Sequence, residues 1–233
     1  MSAINELVQY VTTADNWSGG RGIVHRTFEH VRLAGTAIVI ASAISLPPAV
    51  WLGHVRKGGL LAQSIVNIGR AIPSLAIVSI LFPLSLKYGF GLGFWPTFAA
   101  LVLLAAPPMF TNAFTGVRNV DPAVVEASRG MGMKPRQVIT QVEVPSAMPL
   151  ILTGVRIATL QVIATATLGA YVGFNGLGSY IYEGFRQQND GKLLTGALFV
   201  ALLALFADLV FGVVVRRATP WRRSAPSMKG TQL

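Results

Sequence analysis

Five long apolar stretches, separated by short polar or glycine-rich islands, frame this chain: residues 33–53, 60–84, 92–117, 146–172 and 193–215. A helix needs roughly twenty apolar residues to cross a bilayer. The pattern therefore predicts an all-α integral membrane protein with five transmembrane helices. Residues 1–30 are polar and mixed in charge. Within them Ile4, Leu7, Val8 and Val11 recur at helical spacing, which fits either a short amphipathic helix lying on the membrane or a partly ordered tail. Asn16 to Gly20 reads as a loop.

The spans are not uniformly apolar. Pro47 and Pro48 predict a kink near one end of the first. The second holds Pro73 and Pro83 and aligns Asn67, Arg70 and Ser74 on one face. A charge inside a span faces the bundle interior or a water-filled cavity, so Arg70 either lines a path or pairs with a neighbouring helix or headgroup. Pro107 and Pro108 predict a break in the third span, as a gate or as a simple bend, with Asn112 beyond them. In the fourth, Arg156 is placed to snorkel to the surface, and Gln161, Thr165 and Gly169 form a mildly polar stripe that suits a passage or close helix packing. Asp208 in the fifth reads as a structural partner for an arginine or a capping group, ahead of a proton relay.

Composition agrees with a membrane protein: of 233 residues 52% are hydrophobic and only 12% charged, against about a quarter charged in soluble domains. The net charge of +10 does not point to nucleic acid, because the cations gather at the ends of apolar stretches. With the polar island at 118–145 inside the cell, the N-terminus is outside and the C-terminus inside. Arg56, Lys57, Arg118, Arg129, Lys134, Arg136 and the tail of residues 218–233 are then cytoplasmic, as the positive-inside rule asks. Arg21, Arg26 and Arg32 run against it. With no cysteine and three histidines, His25, His30 and His54, lying outside the apolar runs, neither disulfides nor a metal-ligand cluster is expected. No G-x4-G-K-[ST] phosphate cradle, catalytic carboxylate pair or Ser/His/Asp arrangement is present, so the chain is not expected to be an enzyme.

The island at 118–145 carries the most specific pattern. Asp121 can cap a helix opening at Pro122, Gly130 and Gly132 can stop it, and Pro135 can open a second short helix ending before Pro145. Val124, Ser128 and Met131 are expected on one face of the first helix. Glu126-Ala127-Ser128, three residues, Gly132, nine residues, then Val142-x-Val144-Pro145 resembles the EAA loop of binding-protein-dependent ABC transporter permeases, E-A-A-x3-G-x9-I-x-L-P, with Ser128, Val142 and Val144 as near-matches. Further stretches, among them Pro73-Ser74, Ala106-Pro107-Pro108, Gly154-Val155-Arg156 and Gly176-Leu177-Gly178, are similar to the osmoprotectant branch of that family.

The resemblance implies a MetI-like permease fold and a complex of two permease subunits, identical or similar, a cytoplasmic ABC ATPase dimer and an extracytoplasmic solute-binding protein, all in membrane lipid. ATP and Mg would sit on the partner ATPase, and this chain would bind no cofactor. It also implies that Glu126, Ala127, Ser128, Gly130, Gly132 and Pro145 couple to the ATPase, Gly132 at a turn and Glu126 as a hydrogen-bond acceptor. Asn67, Arg70, Ser74, Asn112, Gln161 and Thr165 are the translocation-path candidates, and Gly176–Gly178 a candidate contact for the binding protein. The expected cargo is a compatible solute such as glycine betaine, choline, carnitine or a proline-like osmoprotectant. A permease for an amino acid or methionine, and a transporter not driven by ATP, are the alternatives.

Overall fold

The structure, a computed structural model, describes residues 3–60, 64–65 and 73–218. Asn67 and Arg70, and the tail cations Arg222, Arg223 and Lys229, lie outside the described residues. The described residues form helices: α1 (Ala3–Thr12), α2 (Ile23–His54), α3 (Ser74–Lys87), α4 (Phe94–Arg118), α5 (Pro122–Gly130), α6 (Pro135–Val172), α7 (Gly178–Gln187) and α8 (Asp190–Ala218). Among the described residues α2, α4, α6 and α8 are long and apolar enough to cross a membrane, and α3 is a shorter apolar helix.

Small residues in register hold the centre together. Along α2, Ala37, Ala41, Ser45, Ala49 and Gly53 are buried at intervals of four, and along α4 so are Leu101, Ala105, Met109, Ala113 and Val117. Rows at i±4 form ridges that interdigitate, and small side chains let helix backbones approach in lipid, where packing rather than water exclusion drives association. α6 closes the core with Ala147, Ile151, Ala158 and Val162. α8 packs on the edge of this core through Val200, Leu203, Ala204 and Ala207, and its only buried residues are Gly191, Thr195 and Gly196, all near its start.

Several sequence expectations meet a different arrangement. The first span begins earlier: residues 23–30, expected as part of a polar N-terminal segment, are the opening turns of α2. Part of their polarity is met inside the fold, Arg26 Nη2 on Glu183 at 2.7 Å and His30 Nε2 on the Ile163 carbonyl at 3.0 Å, while Arg26 Nε and Nη1 and His30 Nδ1 are buried without a hydrogen-bond partner among the described residues. Pro107 and Pro108 do not break α4. Thr111 Oγ1 and Asn112 Nδ2 donate back to the carbonyls of Pro107 and Pro108, each at 2.8 Å, and the helix continues to Arg118. Nor does a short helix end before Pro145. α6 runs through it, because a π-helical stretch, Val138–Glu143, precedes the proline and such local adjustments accommodate a missing N–H. Arg156 does not reach for the surface: its Nε and Nη2 both donate to the Asp208 carboxylate at 2.6 Å, tying α8 to α6.

Candidate coupling site

α5 and the turn after it build a polar tip at one end of the bundle. The Asp121 side chain accepts from the Ala123 N–H at 2.9 Å, with Pro122 in the first helical position where no donor is needed. The helix ends in a Schellman arrangement: the Met133 N–H donates to the Ser128 carbonyl at 3.2 Å and the Gly132 N–H to the Arg129 carbonyl at 2.9 Å. Closing those two bonds puts Gly132 at φ +83°, the left-handed region that favours glycine. A Cβ there would meet nothing within 4 Å. The next helix starts at Pro135, where the Gln137 side chain accepts from the Lys134 N–H at 2.8 Å.

This geometry sorts the coupling candidates. Glu126, Ala127, Gly130 and Gly132 are exposed together at the tip. Ser128 is not: it is buried with Val125 on the opposite face, and its hydroxyl donates to the Val124 carbonyl at 2.7 Å. The expected face of Val124, Ser128 and Met131 is therefore split, because Val120, Val125 and Val138 with Met133 form the local apolar core while Val124 and Met131 stay exposed. Pro145 is half-buried inside α6, away from the tip.

Two residues that the sequence marks only as ordinary turn residues fasten the tip to α2. His54 Nδ1 and Glu143 Oε2 lie 2.6 Å apart with both side chains buried. Arg56, at φ +54°, donates from Nη2 to the Val120 carbonyl at 3.1 Å. In the sequence Glu143 is legible only as the variable position between Val142 and Val144. An acid in that apolar setting is the signal that marks it, since buried carboxylates need partners.

The path candidates spread out. Asn112 is engaged with its own helix at Pro108 and packs where α4 meets α6; a Cβ on Gly154 would come within 2.7 Å of Asn112 Cβ. Gln161 is exposed and Thr165 half-buried on a face of α6 that no described helix covers, together with Thr153, Ile157 and Ala164. Gly169, expected on the same stripe, is buried against Thr97. Ser74 is half-buried at the first position of α3.

At the opposite end of α2, Arg26 is buried with its guanidinium 4.3 Å from the centre of the Tyr180 ring, and Glu183 accepts from both Arg26 (2.7 Å) and Lys192 (2.6 Å). These residues and Tyr10 border a polar cavity of about 650 Å³. Burial pushes the Tyr180 hydroxyl up to about 12. For Glu183 burial acts upward, but the hydrogen bonds from Lys192 and Arg26 outweigh it and hold the carboxyl below its ordinary value. Gly176–Gly178 are buried rather than presented to a partner, because Gly176 packs on Phe174 and Gly178 on the backbone of Thr167.

Comparison with known proteins agrees with this geometry. Residues 35–220 match the family model described as "Binding-protein-dependent transport system inner membrane component". The chain is 33% identical over 217 residues to the choline transport system permease protein OpuBB of Bacillus subtilis, covering 93% of this chain and 95% of that one. It is 33% identical over 201 residues to the carnitine transport permease protein OpuCB of Listeria monocytogenes, covering 86% and 90%. Among solved structures, an inward-facing form of the MetNI methionine ABC transporter aligns with a TM-score of 0.73 at 23% identity, over 84% of this chain and 96% of that one. The chain belongs to the family of binding-protein-dependent transport system inner membrane components and is a multi-pass permease of the inner or plasma membrane with the MetI-like helical fold.

Proposed function

We propose that this permease is the membrane subunit of an ATP-driven importer for quaternary-ammonium compatible solutes, such as glycine betaine, carnitine and choline. It spans the membrane five times with its N-terminus outside and its C-terminus in the cytoplasm. The observation that carries the reading is the tip of α5: an exposed Glu126–Ala127–Gly130–Gly132 surface, ended by a glycine turn and fastened to α2, is shaped to sit in a groove of a separate ATPase. ATP and Mg are then handled on that partner. The solute class follows from relatives named for choline and for carnitine transport that align over nearly the whole chain.

The arrangement of the N-terminal cations supports the orientation. Arg26 is buried on Glu183, and Arg32 pairs with Glu29 at 2.8 Å. Paired charges of this kind weigh less against an outside N-terminus than free ones would. The uncovered stripe of α6 through Ile157 and Gln161 suits contact with a second permease subunit and a solute path between the two. The end that carries α7 would face the solute-binding protein. The test is uptake of labelled glycine betaine after an osmotic upshift, in cells lacking this chain and then given it back. Uptake that returns with the chain is the expected result; uptake indifferent to the deletion removes betaine as the cargo.

A further inference from the structure

We propose that the buried His54–Glu143 pair is a latch that makes α2 follow the ATPase-docking tip, and so sets how much solute crosses per ATP hydrolysed. The inference rests on the importer reading above. The tip is continuous in sequence with α4 and α6, so motion of the tip reaches those two helices through the backbone. α2 has no such link, since Glu143 is 89 residues from His54. Its ties to the tip are side-chain contacts: His54 on Glu143, Arg56 on the Val120 carbonyl, and the close approach of Gly53 to Val117, where a Cβ would come within 2.8 Å.

The pair has the properties such a tie needs. His54 is the last residue of α2 and Glu143 the last of the π-helical stretch, so each sits where its element meets the tip. Their side chains are 8% and 2% exposed and only 2.6 Å apart. Apolar contacts can slide past one another, whereas a hydrogen bond is directional and is stronger where water is excluded. α2 is 32 residues long, about 48 Å at 1.5 Å per residue. Its far end is held by Arg26 on Glu183. A displacement delivered at His54 is thereby passed into one continuous helix, through Pro47 and Pro48 near that end, toward the opposite side of the bundle.

The experiment uses the complete complex, this chain with its second permease subunit, ATPase and binding protein, reconstituted in liposomes. Labelled betaine accumulated and phosphate released are measured together and expressed per assembled complex. In His54→Ala and Glu143→Ala, ATP hydrolysis persists while betaine moved per ATP falls by about tenfold, the order expected from losing a buried hydrogen bond and leaving its partner unsatisfied. Glu143→Gln keeps a hydrogen bond to His54 and retains a ratio near wild type. A purely structural pair would instead lower the amount of assembled complex and leave the ratio unchanged, which overturns the latch. So does a Glu143→Gln ratio as low as that of Glu143→Ala. Failure of the wild-type complex to import betaine strikes the proposed cargo alone, and the same ratio is then read with choline or carnitine.

Discussion

Replacing Gly132 separates backbone strain from surface disruption at the coupling tip. The residue sits at φ +83°, and its N–H and that of Met133 cap the end of α5. Holding an L-residue in the left-handed region costs about 1–2 kcal/mol, which corresponds to roughly a 5–30-fold loss in the population of the native turn. A Cβ at this position would have nothing within 4 Å, so no clash inside this chain adds to that figure. Gly132→Ala should therefore weaken uptake through the turn alone, and Gly132→Val more, because a branched side chain is least tolerated there. Asn and Asp visit this conformation more readily and are nearly isosteric. Gly132→Asn thus reads the effect of bulk on docking, and Gly132→Asp reads bulk plus a negative charge. The assay is betaine uptake alongside co-purification of the ATPase with tagged permease. We expect Asp to abolish both while the permease still inserts, with Asn intermediate. Wild-type uptake and ATPase retention in Gly132→Val and Gly132→Asp would refute both the strain argument and the docking role.

Other consequences can be checked on the purified protein. Ala41→Leu inserts bulk between α2 and α4 and should destabilise by about 1–3 kcal/mol, the usual effect of overpacking, read as a lower melting temperature in detergent. Arg156→Gln or Asp208→Asn alone leaves a charge unpaired on the outer face where α8 meets α6 and should lower the melting temperature, with the double variant recovering part of the loss; additive losses would deny the pairing. Glu183 is held below its ordinary value of 4.5, so its contribution is present above that value and is lost as pH falls through the lower folded value. Glu183→Gln should melt earlier than wild type at neutral pH and converge with it in acid; a constant gap across that range would contradict the assignment.

The helices and the polar tip are legible in the sequence because they are written locally. Apolar run length gives the long helices α2, α4, α6 and α8, Asp121-Pro122 gives the start of α5, and Gly132 gives its stop. The same local rules fail at the prolines: α4 runs on through Pro107 and Pro108, whose carbonyls accept from Thr111 Oγ1 and Asn112 Nδ2 one turn later. They also make α2 too short, for a related reason. Its first turns read as a polar surface segment, and only distant partners make that polarity compatible with burial.

Those distant partners are the feature that hydropathy cannot report. Arg26 meets Glu183 across 157 residues, His54 meets Glu143 across 89, and Arg156 meets Asp208 across 52. In a chain only 12% charged, with few carboxylates available, three of them serve ties between separate helices. Each charge is costly inside a membrane bundle unless paired, and an apolar side chain would have been the cheaper occupant at most such positions. What these polar ties add is direction: the first and second fix the two ends of α2, and the third fixes α8 to α6. An importer of the kind proposed needs helices that pack closely enough to slide, which the small residues Ala37, Ala41, Ser45, Ala49 and Gly53 of α2 supply. It also needs a few contacts that do not slide, and these three pairs meet that need.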